Sequence, residues 1–317
     1  RERPFNKVPQ LDSKPDYVFV NACKTDSLEF EPSELIVNHL DDFIKGIETI
    51  QKITTNKVTL CASKYLPFGY FHKFDLSQRI VEGKFPSGNS SIHIQHVRPM
   101  RKSEKTWTIG WQDVLRIGKA MNTGKLCFEK YVSVSGPACI EPKLVKTTYG
   151  ANLEELCAGN CQDNSRRVSG SLLFGSHGDS YSDFLGRYAN QLSLVSDRRK
   201  STFFNWLKFG SKDHSNSNVF LSSILKPKKY SFDTNINGGY RAIVPIGVFD
   251  EVNPFDIDPT LFLKSLAMGD LVALRELGIF DLTAEDMAIF SYVCPSKYDY
   301  VALFNDCMEM IWKEETS

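Results

Sequence analysis

The chain has 317 residues and balances 38 Lys and Arg against 38 Asp and Glu. That length predicts two or three domains with room for buried cores, and zero net charge leaves no basic field to hold nucleic acid or an anionic membrane surface. Charges interrupt every apolar run well before the ~18 residues that a bilayer-crossing helix needs. Eight cysteines stand at 23, 61, 127, 139, 157, 161, 294 and 307. They are too scattered for a disulfide framework and suit a reducing compartment.

Residues 1–15 carry three prolines among mixed charges and read as an extended connector, the end of a preceding domain. The opening without Met, in mid-motif at Arg1, implies a fragment whose N-terminal portion lies upstream, and no signal peptide is expected. Arg3, Phe5 and Lys7 place an aromatic ring beside cations on a rigid segment. Such a trio can stack on a quinone head group or anchor on a partner protein; the plainer reading is a linker.

From residue 16 to 125 the pattern is α/β. Tyr17–Val20 reads as a strand, Glu34–Ile53 as a helix with apolar residues at three- and four-residue spacing, and Val58–Cys61 as the next strand. A βαβ unit predicts parallel pairing and a Rossmann-like domain. A dinucleotide or flavin needs a Gly-rich turn onto a helix N-terminus, yet the first strand runs into Asn21–Asp26 without glycine. Ser91–Val97 alternates as a strand, with His93 and His96 on opposite faces as ordinary histidines rather than a metal pair. Trp111–Met121 reads as a helix ended near Gly124.

Residues 126–200 form a small module. Tyr131–Ser135 alternates, Gly136-Pro137 breaks the run, and Pro142–Lys146 resumes it. Asn152 followed by Glu155 starts a short helix, and Arg167–Leu173 and Gln191–Val195 add two strand-like runs, a β-grasp-like set. Cys157 and Cys161 are the only close cysteine pair. A zinc site needs four ligands, the nearest histidine is His177, and the pair reads as two thiols at a helix end.

Residues 201–250 read as a loop-rich connector with strands. Phe203, Phe204, Trp206 and Phe209 cluster beside the polar tract Lys212–Asn218 and the basic run Lys226–Lys229. The cluster is either core or a surface for a membrane partner. Asn237-Gly238-Gly239 signals a turn into a strand over Tyr240–Ile246. Residues 251–317 are helical: Asp258 with Pro259 opens one helix, closed at Gly269. Asp270 opens the next, Thr283 with Asp286 a third, and Tyr298–Lys313 a last. No Ser-His-Asp order, phosphate loop, HExxH or Gly-x-Ser-x-Gly is present, and Asp179 with Asp183 is too slight a pair to indicate acid/base work. The residues alone describe a multidomain α/β plus helical protein without a self-contained active site.

Four strings occur together in order: Arg3-Pro4-Phe5 with Lys7-Val8-Pro9; Ser133–Leu156 (SVSGPACIEPKLVKTTYGANLEEL) with Leu185–Tyr188; Ala242–Gly247 (AIVPIG); and Tyr292–Tyr300 (YVCPSKYDY). With them the whole chain resembles the A component of the bacterial sodium-translocating NADH:quinone reductase. The α/β segment further resembles the flavin domain of the complex I flavoprotein subunit, without the loops that hold FMN. The helical segment resembles that family's cluster domain, with Cys294 in its Cys-Pro setting as the vestige of a cluster position. The resemblance implies a peripheral subunit on the cytoplasmic side of the bacterial inner membrane, one of six. It would dock chiefly on the membrane-embedded B component and contribute to ubiquinone reduction. The complex would use NADH, flavins, iron and ubiquinone, with no redox cofactor or metal in this chain. The alternatives are a stand-alone flavin- or quinone-binding oxidoreductase and a purely structural adaptor without quinone contact.

Overall fold

The computed structural model describes residues 1–24, 26–101, 104–177, 183–197, 209–211, 214, 220–225, 230 and 232–316. They form a mixed α/β protein with two sheets and a C-terminal helical region. The chain divides into two units: residues 1–130, 244–292 and 298–317 in one, residues 131–243 and 293–297 in the other.

The first unit is built on a five-stranded sheet in the order β1-β5-β2-β3-β4. Its strands are β1 (Glu2–Arg3), β2 (Tyr17–Ala22), β3 (Val58–Ala62), β4 (Leu76–Ile80) and β5 (Thr106–Gly110). Strands β2 to β5 pair in parallel, and β1 adds an antiparallel edge on β5. Every residue of β3 and all but the first of β2 are buried, as expected where helices cover both faces of a parallel sheet. The alternation of the strand turns Phe19 toward Ile94 on one side and Val18 and Val20 to the other.

Between β2 and β3 the expected single helix is two, α1 (Ser33–Asn38) and α2 (Leu40–Gln51), broken at His39, whose φ of −123° and ψ of 37° leave the helical range. Helix α2 packs on α4 (Trp111–Thr123) so closely that a Cβ on Gly118 would strike the Asp42 carbonyl oxygen. Residues 91–97, expected as a strand, are instead the helix α3 (Ser90–Val97). The misleading signal was Ile-His-Ile: Ser91, Ile92, His93 and Ile94 are all buried, so the helix presents apolar atoms on nearly every side and loses its 3.6-residue pattern. Asn89 precedes the helix in an extended conformation, φ −74° and ψ 140°, but makes no side-chain cap to it; its Nδ2 donates to Asp286 instead.

The C-terminal helices follow the expected caps. Asp258 accepts from Leu261 N at 2.9 Å to open α7 (Pro259–Met268), which Gly269 closes at φ 68°. Asp270 accepts from Ala273 N at 3.0 Å to open α8 (Leu271–Glu276). Thr283 and Asp286 form a reciprocal capping box, but the turn they open is a 3-10 turn (Ala284–Met287) that runs on into α9 (Ala288–Val293). Helix α10 (Tyr300–Thr316) ends the described chain.

The second unit holds a four-stranded sheet in the order β7-β6-β9-β8 and the short helices α5 (Leu153–Cys157) and α6 (Ser222–Leu225). The strands are β6 (Glu129–Ser135), β7 (Lys143–Thr148), β8 (Ser165–Ser169) and β9 (Gln191–Ser196). β6 runs parallel to β9, with Ser133 opposite Gln191, and β8 antiparallel to β9, with Ser169 opposite Leu192. Val132, Val134, Leu192 and Leu194 make one wall of its core, and Leu153 and Leu156 of α5 pack on it. Asn152 caps α5, its side chain accepting from Glu154 N at 2.8 Å and Glu155 N at 3.3 Å. Gly136, at φ 127°, lies where a Cβ would meet the Leu194 carbonyl oxygen, which is why the break falls there. Tyr240–Ile246, expected as a strand, forms none. The segment is largely exposed, and its contacts include Arg241 Nε donating to Pro295 O at 2.8 Å and Ser296 Oγ to Ala242 O at 2.9 Å.

Candidate functional site

The expected contact trio lies on a small hairpin. Glu2 N donates to Lys7 O at 2.7 Å, and the turn between them is made by Arg3-Pro4-Phe5-Asn6, with Asn6 left-handed at φ 54°. Two side chains fasten its stem, Trp107 Nε1 and Ser13 Oγ, which donate to the Glu2 carboxylate at 2.8 and 2.6 Å. The structure gives the three residues different places. Arg3 is buried at 2% exposure, Phe5 is half-buried with its ring edge-on to Phe280 at 6.1 Å, and Lys7 is exposed with its ammonium 3.0 Å from the centre of the Trp312 ring.

Arg3 sits in a polar network the sequence did not reveal. Its Nη2 donates to Ser91 Oγ at 3.2 Å and to the Asp281 carbonyl at 2.6 Å. Burial depresses its pKa from the ordinary arginine value, while Asp286, Asp281 and Glu285 act in the opposite direction. Asp286, itself fully buried, accepts from Asn89 Nδ2 at 2.8 Å and from Thr283 N and Oγ1 at 2.7 and 2.8 Å. Arg1 adds an outer ion pair to Glu285 at 3.2 Å. The Arg3 Nε and Nη1 donors have no hydrogen-bond partner, and the surrounding carboxylates offset only part of the cost of burial. Chemically this is a positioning network. It fixes the hairpin and leaves the Phe5 ring and the Lys7 ammonium at the surface.

The carboxyl edge of the parallel sheet is where an α/β fold ordinarily receives a nucleotide, at the point where connections diverge between β2 and β5. Here the loop after β2 brings Phe30 edge-on to Trp111, the first residue of α4, at 5.7 Å. Asp26 and Glu29 of that loop are buried. Next to it Glu31 accepts from Ser33 Oγ and Ser63 Oγ at 2.6 and 2.7 Å, beside a shallow open depression lined also by Glu34 and Tyr65. Four carboxylates at this edge give the wrong field for a pyrophosphate, which needs backbone amides and positive charge.

His93 lies on α3, its Nε2 3.0 Å from Ser87 O. Burial pushes its pKa down to about 4, whereas His96, one turn on, is exposed. Among the described residues no group of three or more His, Cys, Asp and Glu side chains is placed to hold a metal ion. Cys294 is fully buried. Phe209 is exposed, and Phe203, Phe204 and Trp206, with Asp179, Lys212, Asp213 and the basic run 226–229, lie outside the described residues. No described helix is long and apolar enough to cross a membrane.

An α/β unit with a carboxylate-lined sheet edge, joined in one chain to a second small mixed sheet, defines a two-unit α/β protein. Family models agree on both parts: one described as NqrA second alpha/beta domain matches residues 1–126, and one described as NQRA C-terminal domain matches residues 131–179. The chain belongs to the NqrA family, the A component of the Na(+)-translocating NADH-quinone reductase, an oxidoreductase complex that moves sodium. It is 36% identical to the NqrA proteins of Neisseria meningitidis serogroup B and of Saccharophagus degradans over 315 residues, 99% of this chain and 70% of each relative. It is 38% identical to that of Pasteurella multocida over 317 residues, again covering 70% of the relative. The resemblance expected from the four ordered strings is thereby borne out. Membership in a multi-subunit complex makes its other subunits partners of this chain. A solved NAD+-reducing [NiFe]-hydrogenase chain covers 93% of this chain, and this chain 54% of it, at 13% identity with a TM-score of 0.43, too distant to argue from.

Proposed function

We propose that this chain is the peripheral component of the reductase on the cytoplasmic side of the inner membrane. There it assembles with the membrane-embedded B component and contributes to the ubiquinone-reduction step without a redox cofactor of its own. The observation that carries this reading is the sheet's carboxyl edge, where the Phe30–Trp111 contact and the carboxylates of Asp26, Glu29, Glu31 and Glu34 occupy the ground a flavin or NADH phosphate would need. The parallel order of β2 to β5 supports a Rossmann-like ancestry for the first unit. The order β7-β6-β9-β8 with its parallel central pair supports a β-grasp reading of the second. On this reading Phe5 and Lys7 are the surface that meets quinone or the B component, and Arg3 acts from beneath by holding their hairpin. Phe203, Phe204, Trp206 and Phe209 form a further partner surface, and Cys294 is the relic of a cluster position.

The test is a calorimetric titration of the purified chain with a soluble ubiquinone and with NADH, alongside its visible spectrum and iron content. A colourless protein silent toward NADH, with quinone heat lost in Phe5→Ala, is the expected result. Tight NADH binding or a bound chromophore overturns the cofactor-free reading. Quinone silence with intact capture of the B component leaves the structural adaptor in its place.

A further inference from the structure

Three of the eight cysteines, none of them used in the reading above, converge at one corner of the second unit. Residues 138–141 and 160–162 run antiparallel for a few residues, with Cys139 directly opposite Cys161. The bonds that hold them flank this pair rather than join it: Ile140 N donates to Asn160 O at 3.1 Å and Gln162 N to Ala138 O at 3.0 Å. That is the non-hydrogen-bonded register, in which opposed Cα atoms stand about 4.5 Å apart and side chains approach most closely. Such a spacing lies within the reach of a disulfide, roughly 4.4–6.8 Å. The Asn160 side chain clamps the ribbon twice more, accepting from Glu141 N and donating to Glu141 O, both at 2.8 Å, and its Nδ2 also reaches Cys139 Sγ at 3.5 Å.

The third cysteine, Cys157, is the last residue of α5, and its thiol donates to Glu154 O at 3.5 Å within the core cluster on which Cys139 and Cys161 pack. Cys157 is buried in the unit's core, whereas Cys139 and Cys161 are partly exposed at its margin. Cys161 therefore faces a cysteine across the ribbon and is itself reachable from solvent.

We propose that Cys161 is the entry sulfur of a thiol–disulfide exchange site: it reacts with a small-molecule disulfide and closes a disulfide with Cys139, which stands directly opposite it on the ribbon. In the first step the Cys161 thiolate attacks one sulfur of oxidised glutathione, forming a mixed disulfide and releasing one glutathione thiolate. In the second, Cys139 gives up its proton and its sulfur attacks Cys161 Sγ, expelling the second glutathione thiolate. Two cysteine thiols are oxidised, one glutathione disulfide is reduced to two glutathiones, and the protons pass to the leaving thiolates. Burial pushes the Cys139 thiol above the ordinary cysteine value, so the second step is the slow one and quickens as pH rises.

The experiment treats the folded chain with oxidised glutathione in a pH series, blocks remaining thiols, and maps the linked peptides by mass spectrometry. The wild-type chain is expected to lose two free thiols together in a Cys139–Cys161 link. Cys157→Ser is expected to keep that link, and Cys161→Ser to give none. Reduction by dithiothreitol should restore all eight thiols. A wild-type chain that keeps its thiols, stops at a glutathione adduct on Cys161, or links any other pair overturns the proposal. The wild-type map needs no variant to fold.

Discussion

The two sheets of this protein solve burial in opposite ways. In the first unit β2 and β3 are apolar almost throughout and helices lie on both faces, so specificity must come from polar groups driven into that interior: Arg3, Asp286, Asn89 and His93. In the second unit only β6 and β9 are strongly buried, β7 is mostly exposed, and a five-residue helix closes the core. The first unit thus places its chemistry in buried charge networks. The second places it in backbone turns, a cap and three thiols. A doubly covered sheet carries costly polar groups because misplacing one is severely penalised, whereas a half-covered sheet depends on local capping.

The largest effect should follow from breaking the first unit's network. Arg3→Ala removes two charge-assisted hydrogen bonds of a buried guanidinium, to Ser91 Oγ and to the Asp281 carbonyl, each worth about 1.5–3 kcal/mol. Urea unfolding of the full chain is expected to shift to a markedly lower midpoint. An unchanged midpoint would mean the hairpin is not held by this network.

His93 gives the next effect, visible as a pH dependence. Its folded pKa, about 4, lies below the ordinary 6.5, so the unfolded chain takes up the proton first. Its contribution is complete above pH 6.5 and drains away as pH falls toward 4, a loss of about 3 kcal/mol in all. The difference between the wild-type chain and His93→Gln, measured by denaturation at several pH values, should shrink across that window. A difference independent of pH would show that His93 is not held neutral.

The smallest effect belongs to the second unit. Asn152→Ala removes acceptors for two helix amides and should cost about 1 kcal/mol, with Asn152→Asp restoring most of it. A loss as large as that of Arg3→Ala would show that the contrast between the units is false.

The elements that the sequence revealed are those whose signals are local. Asp258, Asp270 and Thr283 with Asp286 marked helix starts because a cap is a contact between residues three apart. Val58–Cys61 was legible because a strand buried on both faces is apolar without a break. The strands β4 and β5 passed unnoticed, since neither carries the run or the alternation of a buried strand. The strand expected over residues 91–97 was wrong because a helix buried nearly all round loses the period that identifies it.

What the sequence determined by itself, then, was the family, the α/β order of the elements, the caps and the breaks at Gly124 and Gly136. Each depends on a residue's own conformational preference or on neighbours a few positions away. Only the tertiary structure decided the rest. Arg3 meets Ser91 and Asp281 across separations of 88 and 278 residues, Lys7 finds Trp312 at the far end of the chain, and Cys139 comes to face Cys161 across a ribbon. No periodicity encodes such contacts, because burial and charge compensation are settled only when distant segments pack together.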